Sequence, residues 1–164
     1  MAKEVTKKKV LFICTHNSAR SQMAEAFLRA FYSGDFEARS AGTEPTEVNP
    51  YTIQVMKEIG IDISNERSKS VREFLGMDFD YVITVCDQAR ESCPFFPGRT
   101  IIHKAFEDPA RSEGTEEEIL STFRKVRDEI KAWVEKNFKR KGEELQEQPA
   151  FWPIIKKSSK ENKK

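Results

Sequence analysis

The sequence predicts an α/β fold of three layers, α/β/α, around a four-stranded parallel sheet. Two observations carry this. Apolar, strand-like runs alternate with helical periodicity in the order β-α-β-α-(α)-β-β-α, the pattern of a doubly wound sheet. The run Val10-Leu-Phe-Ile13 is apolar at every position, which suits a parallel strand covered on both faces. With right-handed crossovers, such a sheet binds its ligand beyond the strand C-termini, where the strand order reverses.

Each element has a local reason. The first strand is expected from Lys9 to Cys14. Met23, Phe27 and Phe31 then recur at helical spacing, predicting a helix from Ala19 to Tyr32 with Gly34 as its C′ residue. Phe36 to Ala41 reads as a short strand ended by Gly42. Asn49-Pro50 is a helix start, with Asn as N-cap and Pro at the first helical position; Ile53 and Met56 face inward and Gly60 stops the helix. A polar stretch from Ile61 to Ser70 precedes a short helix, Val71 to Leu75. Asp80 to Cys86 is a strong strand and Thr100 to His103 a shorter one. Thr115-Glu-Glu-Glu118 is a capping box opening a long helix, with Ile119, Phe123, Val126, Ile130, Trp133 and Val134 on its inner face.

At 164 residues, one domain is expected over 1–139, with a C-terminal extension over 140–164. That extension is Glu/Gln-rich, then apolar at Phe151-Trp-Pro-Ile-Ile155, then Lys-rich and partly disordered; its aromatic cluster either folds back on the domain or docks a partner. The net charge of +1 gives no basic field for nucleic acid. Behind Lys7-Lys8-Lys9 the apolar run stops at Cys14, too short for a signal peptide or a membrane span. A cytoplasmic monomer is expected.

The chemistry concentrates at Cys14-Thr-His-Asn-Ser-Ala-Arg20-Ser21. A loop curled between a strand end and a helix start aims several backbone N–H groups at one point, and the helix terminus adds partial positive charge. Thr15, His16, Asn17, Ser18, Ala19 and Arg20 would supply this cradle for a tetrahedral oxyanion. Such a site favours thiolate over thiol, which makes Cys14 the expected nucleophile. Arg20 would close the cradle with a planar fork, and the Ser21 hydroxyl would donate to the sulfur. A lone Cys is more often a core residue; the Cys-x5-Arg-Ser pattern between strand and helix is what points to catalysis.

Two further cysteines, Cys86 and Cys93, bracket six residues. On a regular helix they would lie roughly 10 Å apart, beyond disulfide reach. A bridge between them would require the segment to bend, making it a switch; two inert core thiols are the alternative. Zinc fits poorly, because there is no Cys-x2-Cys pair and His16 and His103 lack ligand spacing, so no metal is assigned. Asp108, followed by Pro109, is either a plain turn or a general acid whose loop folds over the anion site; its place after the fourth strand favours the acid.

Taken together, these residues resemble the thioredoxin-coupled arsenate reductases built on the low-molecular-weight tyrosine phosphatase fold. The resemblance spans about Lys9 to Phe138 and includes Ser40-Ala-Gly42, Val48-Asn-Pro50, Ile61-Asp-Ile-Ser64, the Cys86/Cys93 pair and Asp108-Pro109. It implies that Cys14 attacks arsenate, Asp108 protonates the departing oxygen, and Cys86 attacks the Cys14 adduct. Cys93 would then free Cys14 from Cys86, and thioredoxin would reduce the Cys86–Cys93 bridge. No other cofactor is implied. Family members often hold potassium with an acidic residue near position 69 and residues matching Asn17, Glu25 and Ser40; here Lys69 stands in that place, so no potassium requirement is expected. Ala110 and Arg111 follow Asp108-Pro109, where phosphatases of this fold usually carry aromatic residues. The competing readings are a tyrosine phosphatase, needing only Cys14, Arg20 and Asp108, and a non-enzymatic oxyanion or redox sensor.

Overall fold

The computed structural model describes residues 6–87 and 96–139. Cys93 and the 140–164 extension lie outside them. Four strands, β1 (Lys8–Cys14), β2 (Phe36–Gly42), β3 (Tyr81–Thr84) and β4 (Thr100–His103), form one sheet in the order β2-β1-β3-β4. All three pairings are parallel, with Cys14 opposite Gly42, Ile13 opposite Thr84, and Thr84 opposite His103. The strand order reverses at β1, so the crevice between diverging connections opens just beyond Cys14. Val10 to Ile13 point alternately to the two faces and are all fully buried, so both faces of β1 are covered.

The helices are α1 (Arg20–Tyr32), α2 (Pro50–Lys57) and α3 (Glu116–Asn137). The N-cap of α1 is Ala19, which makes no side-chain cap. The first turn of α1 therefore keeps amide donors available for a ligand. Asn49 caps α2 by accepting from the Tyr51 amide at 2.8 Å. The capping box at α3 is formed in both directions by Thr115 and Glu118. Gly114 has φ +125 and a Cβ there would meet the Glu118 carboxylate at 2.2 Å, so the box requires glycine before it.

Tyr51 packs on Phe123 with centroids 5.4 Å apart, joining α2 to α3. Phe138, just past α3, sits against Phe12, Phe36, Tyr81 and Trp133 at centroid distances of 5.0–6.4 Å. A second aromatic group, Phe74, Phe79 and Phe96, packs with centroids 6.1 and 6.2 Å apart.

Some boundaries differ from the sequence expectation. The third strand is shorter than 80–86: the Asp80 carboxylate takes the Lys9 amide at 2.8 Å, and Cys86 lies two residues past Thr84. The Val71 turn is a 3-10 helix, Val71–Phe74. Gly34 is not the left-handed cap; Asp35 N closes on Tyr32 O at 3.0 Å instead, and among the described residues the left-handed glycines are 60, 76 and 114. No helix among the described residues is long and apolar enough to cross a membrane.

Candidate active site

The loop 15–19 is shaped from outside. The Cys14 carbonyl accepts from Thr43 N (3.1 Å), Thr15 from Glu44 N (2.7 Å), His16 from Thr46 N (3.2 Å) and Ser18 from Asn49 N (3.1 Å). The Asn17 carbonyl accepts from Ser68 Oγ at 2.7 Å and Gln22 Nε2 at 3.3 Å. In a trans peptide the carbonyl and the following N–H point opposite ways. Carbonyls bonded outward from 14 to 18 therefore turn the amides of 15–19 inward. One of these is seen directly: Asn17 N donates to Cys14 Sγ at 3.3 Å. The result is a concave ring of donors around the sulfur, suited to an oxyanion.

Asn17 holds the loop's tightest turn. Its φ of 52 is left-handed, a conformation Asn tolerates better than most residues. Its side chain is fully buried and fully used. Nδ2 donates to Ser21 Oγ (2.8 Å) and Ser40 Oγ (3.0 Å), and Oδ1 accepts from Lys69 N (2.8 Å) and Gln22 Nε2 (2.9 Å). Gly42 is the other close fit: a Cβ there would lie 2.6 Å from Thr15 O and 2.9 Å from Asn17 N, both backbone.

Ser21 Oγ lies 2.8 Å from Cys14 Sγ. That oxygen accepts from Asn17 and keeps its own hydrogen, so toward a Cys14 thiolate Ser21 is the donor. Behind it, Ser40 accepts from Asn17 and donates to the buried Glu25 carboxylate in a short contact. Lys69 Nζ stands 3.7 Å from Glu25 Oε1 and donates to Arg67 O at 3.2 Å, while Arg29 also pairs with Glu25. A polar chain thus runs from Lys69 through Glu25, Ser40, Asn17 and Ser21 to Cys14.

Arg20 is buried beside the loop. Its guanidinium donates to Phe106 O at 3.2 Å and sits 3.4 Å from Asp108 Oδ2. The Asp108 loop is thereby held against Arg20. Asp108 also caps the 3-10 turn Pro109–Arg111, accepting from Ala110 N at 3.0 Å. Cys86 arrives from the neighbouring strand, and its Sγ lies 3.3 Å from Thr15 Oγ1. Thr15, Arg20, Cys86, Asp87, Asp108 and Arg111 line one cleft of about 350 Å³.

The structure therefore brings Cys14, Arg20, Ser21, Cys86 and Asp108 together. Of the predicted cradle residues, His16 is exposed and offers only its backbone, while Thr15 adds a side-chain contact to Cys86. Sequence reasoning missed Gln22 and Ser68 as supports of the loop. Its signal was available for Gln22: Arg20, Ser21, Gln22 and Glu25 are polar residues on a helix face that is buried.

Comparison with known proteins agrees with this geometry. The low molecular weight phosphotyrosine protein phosphatase family model matches residues 9–149. The chain belongs to this family. Among its relatives, an arsenate reductase of Halalkalibacterium halodurans is 44% identical over 127 residues, covering 77% of this chain and 91% of that protein. An arsenate reductase of Bacillus subtilis is 43% identical over 124 residues, covering 75% and 89%. In three dimensions the chain is similar to an arsenate reductase in an oxidized state, with a TM-score of 0.68 and 35% identity over 79% of this chain and 95% of that one. A low molecular weight protein tyrosine phosphatase from T. tengcongensis gives 0.65 at 28% identity, covering 79% and 97%. The family's members thus include both named activities, and the site must discriminate between them.

Proposed function

We propose that this protein reduces arsenate to arsenite through a relay of Cys14, Cys86 and Cys93, renewed by a thioredoxin-type dithiol protein. The observation that carries the reading is the 3.3 Å contact between Cys86 Sγ and Thr15 Oγ1. It sets a second thiol on the same loop that holds the first, which phosphate-ester hydrolysis does not need. The relatives named arsenate reductase support the same choice.

Arsenate sits in the amide ring with Arg20 across two of its oxygens. Cys14 thiolate attacks arsenic, one oxygen leaves as water with a proton from Asp108, and a sulfur–arsenic(V) bond forms. Cys86 gives up its proton and attacks Cys14 Sγ. The sulfur–sulfur bond forms, the sulfur–arsenic bond breaks, and its electron pair stays on arsenic, which leaves as arsenite. One arsenate and two thiols become one arsenite, one water and one disulfide. Cys93 then displaces Cys14 from Cys86, and the external dithiol reduces the Cys86–Cys93 bridge. This chemistry belongs in a reducing compartment such as the cytoplasm. Every residue it uses comes from one chain, so a monomer suffices.

Potassium does not fit this chain. The position beside Glu25 is filled by the Lys69 ammonium, 3.7 Å from Oε1 and itself buried. The reading therefore assigns the positive charge there to Lys69.

The test is arsenate-dependent NADPH oxidation with thioredoxin and thioredoxin reductase. Turnover lost in each of Cys14→Ser, Cys86→Ser and Cys93→Ser supports the relay; no turnover by wild type overturns it. The second reading is phosphotyrosine hydrolysis, favoured by the family match and by Asp108 lying 3.4 Å from Arg20. Efficient hydrolysis that survives Cys86→Ser would establish it.

A further inference from the structure

Beside Cys86 lies a side-chain cluster that the reaction above does not use. His103, the last residue of β4, stands in register with Thr84, the last of β3. Its Nδ1 is 2.8 Å from Thr84 Oγ1, and its Nε2 is 2.7 Å from Asp87 Oδ1. An ionised carboxylate only accepts, so Nε2 carries a hydrogen toward Asp87, and in the neutral ring Nδ1 accepts from the Thr84 hydroxyl. Thr84 is buried, whereas the Asp87 side chain is 72% exposed. The imidazole therefore ties an otherwise solvent-directed residue to the end of the sheet. That residue is the immediate neighbour of Cys86.

The backbone around it is built from the same two positions. Lys104 N bonds Thr84 O at 2.9 Å and Phe106 N bonds Val85 O at 3.0 Å. Phe106 O in turn accepts from Arg20 at 3.2 Å. His103 thus stands where the Cys86 turn and the Asp108 loop part from the sheet. Asp87 also lines the cleft with Cys86.

We propose that His103 is a positioning residue for the second thiol: through Asp87 it holds the Cys86 turn so that Cys86 Sγ stays on Thr15 and faces the Cys14 adduct. It touches no reacting atom. The proposal rests on the relay reading and deepens it by separating the Cys86 step from oxyanion binding. The step itself is unchanged: the Cys14–Cys86 bond forms, the electron pair of the sulfur–arsenic bond goes to arsenic, and the Cys86 proton leaves on an arsenite oxygen.

The test measures two quantities on the full chain. One is the rate of Cys14–Cys86 disulfide formation after mixing with saturating arsenate, read by mass spectrometry of quenched samples. The other is the affinity for inorganic phosphate, read by calorimetry. His103→Ala and Asp87→Ala each slow the disulfide about 10-fold, the scale of one lost hydrogen bond to a charged group; His103→Ala leaves phosphate affinity unchanged, and Asp87→Ala, which takes a negative charge from the cleft, does not weaken it. His103→Gln, whose amide can donate to Asp87 as Nε2 does, recovers most of the rate. Asp87→Ala alters an exposed side chain, so it answers even if His103→Ala fails to fold. Wild-type rates in both alanine variants overturn the proposal, as does an equal loss of phosphate affinity. Should wild type form no disulfide, the relay fails rather than the positioning. Alkylation of Cys86 by iodoacetamide in the Cys14→Ser/Cys93→Ser protein then decides: a rate altered by His103→Ala and restored by His103→Gln upholds the role, and an unaltered rate rejects it.

Discussion

Cys14 ends one strand and Cys86 follows its neighbour, with Thr15 between them, yet their surroundings differ in kind. The loop after Cys14 has each carbonyl from 14 to 18 bonded by a donor from another segment, and Asn17 at its centre is fully buried and fully hydrogen-bonded. Cys86 follows Val85, whose amide and carbonyl are bonded to Ile13 and Phe106, and side chains meet it there: Thr15 at the sulfur, and His103 through the exposed Asp87. The first region is fixed by many mutually supporting backbone bonds. The second adds side-chain contacts, one of them to an exposed residue, to a shorter backbone frame. This matches what the proposed reaction asks of each, because an oxyanion cradle gains from rigidity while a shuttling thiol must exchange partners.

If the contrast is correct, the largest effect comes from Asn17→Ala. It leaves several buried donors and acceptors without partners, costing about 3 kcal/mol or more in stability by urea unfolding. Phosphate binding should be lost to calorimetry even where the protein still folds.

Gly42→Ala comes next. The new Cβ meets backbone at 2.6 Å, so the loop itself must shift. With overpacking costs of about 1–3 kcal/mol, phosphate should bind about 10-fold or more weakly, with helical content unchanged by circular dichroism. A normal affinity would show that the cradle is less constrained than its bonds suggest.

Thr15→Val probes the other region. It should leave phosphate affinity intact and slow Cys14–Cys86 disulfide formation about 10-fold, through loss of one hydrogen bond at the sulfur. Equal damage to both measurements would erase the distinction between the regions.

For Lys69 the prediction concerns the cation in the assay. Exchanging potassium for sodium in the assay should leave kcat/KM unchanged, because Lys69 already pairs with Glu25. Strong activation by potassium would contradict that assignment.

The smallest effect lies far from the cleft. Arg124, and to a lesser degree Arg127, hold the Glu58 carboxyl below its usual range by hydrogen bonding and charge. A carboxylate lowered on folding contributes stability above its unfolded pKa of about 4.3 and loses it as pH falls through the folded value. Glu58→Gln should therefore melt slightly below wild type at neutral pH, and the gap should close in acid.

Much of this was legible in the sequence because it is local. The apolar run Val10 to Ile13, the Asn49 cap and the Thr115/Glu118 box each depend on neighbours a few residues apart. The Cys-x5-Arg-Ser spacing likewise marks the loop whose carbonyls are bonded outward. What was not legible depends on register between distant segments. The Thr15–Cys86 contact joins residues 71 apart, and the Thr84–His103–Asp87 group exists only because β3 and β4 pair as they do. Gly42 was read as the end of a strand; its closer role follows from its place opposite Cys14. The third strand ends at Thr84 rather than at Cys86, where the chain bends away.

The most direct test of the relay uses the Cys93→Ser protein with arsenate and no external reductant. The account predicts a single turnover: one Cys14–Cys86 disulfide per chain by peptide mapping, with one equivalent of arsenite released. An unbridged Cys14 and no arsenite, in a protein that still binds phosphate, would contradict it and leave the cleft to phosphate-ester chemistry.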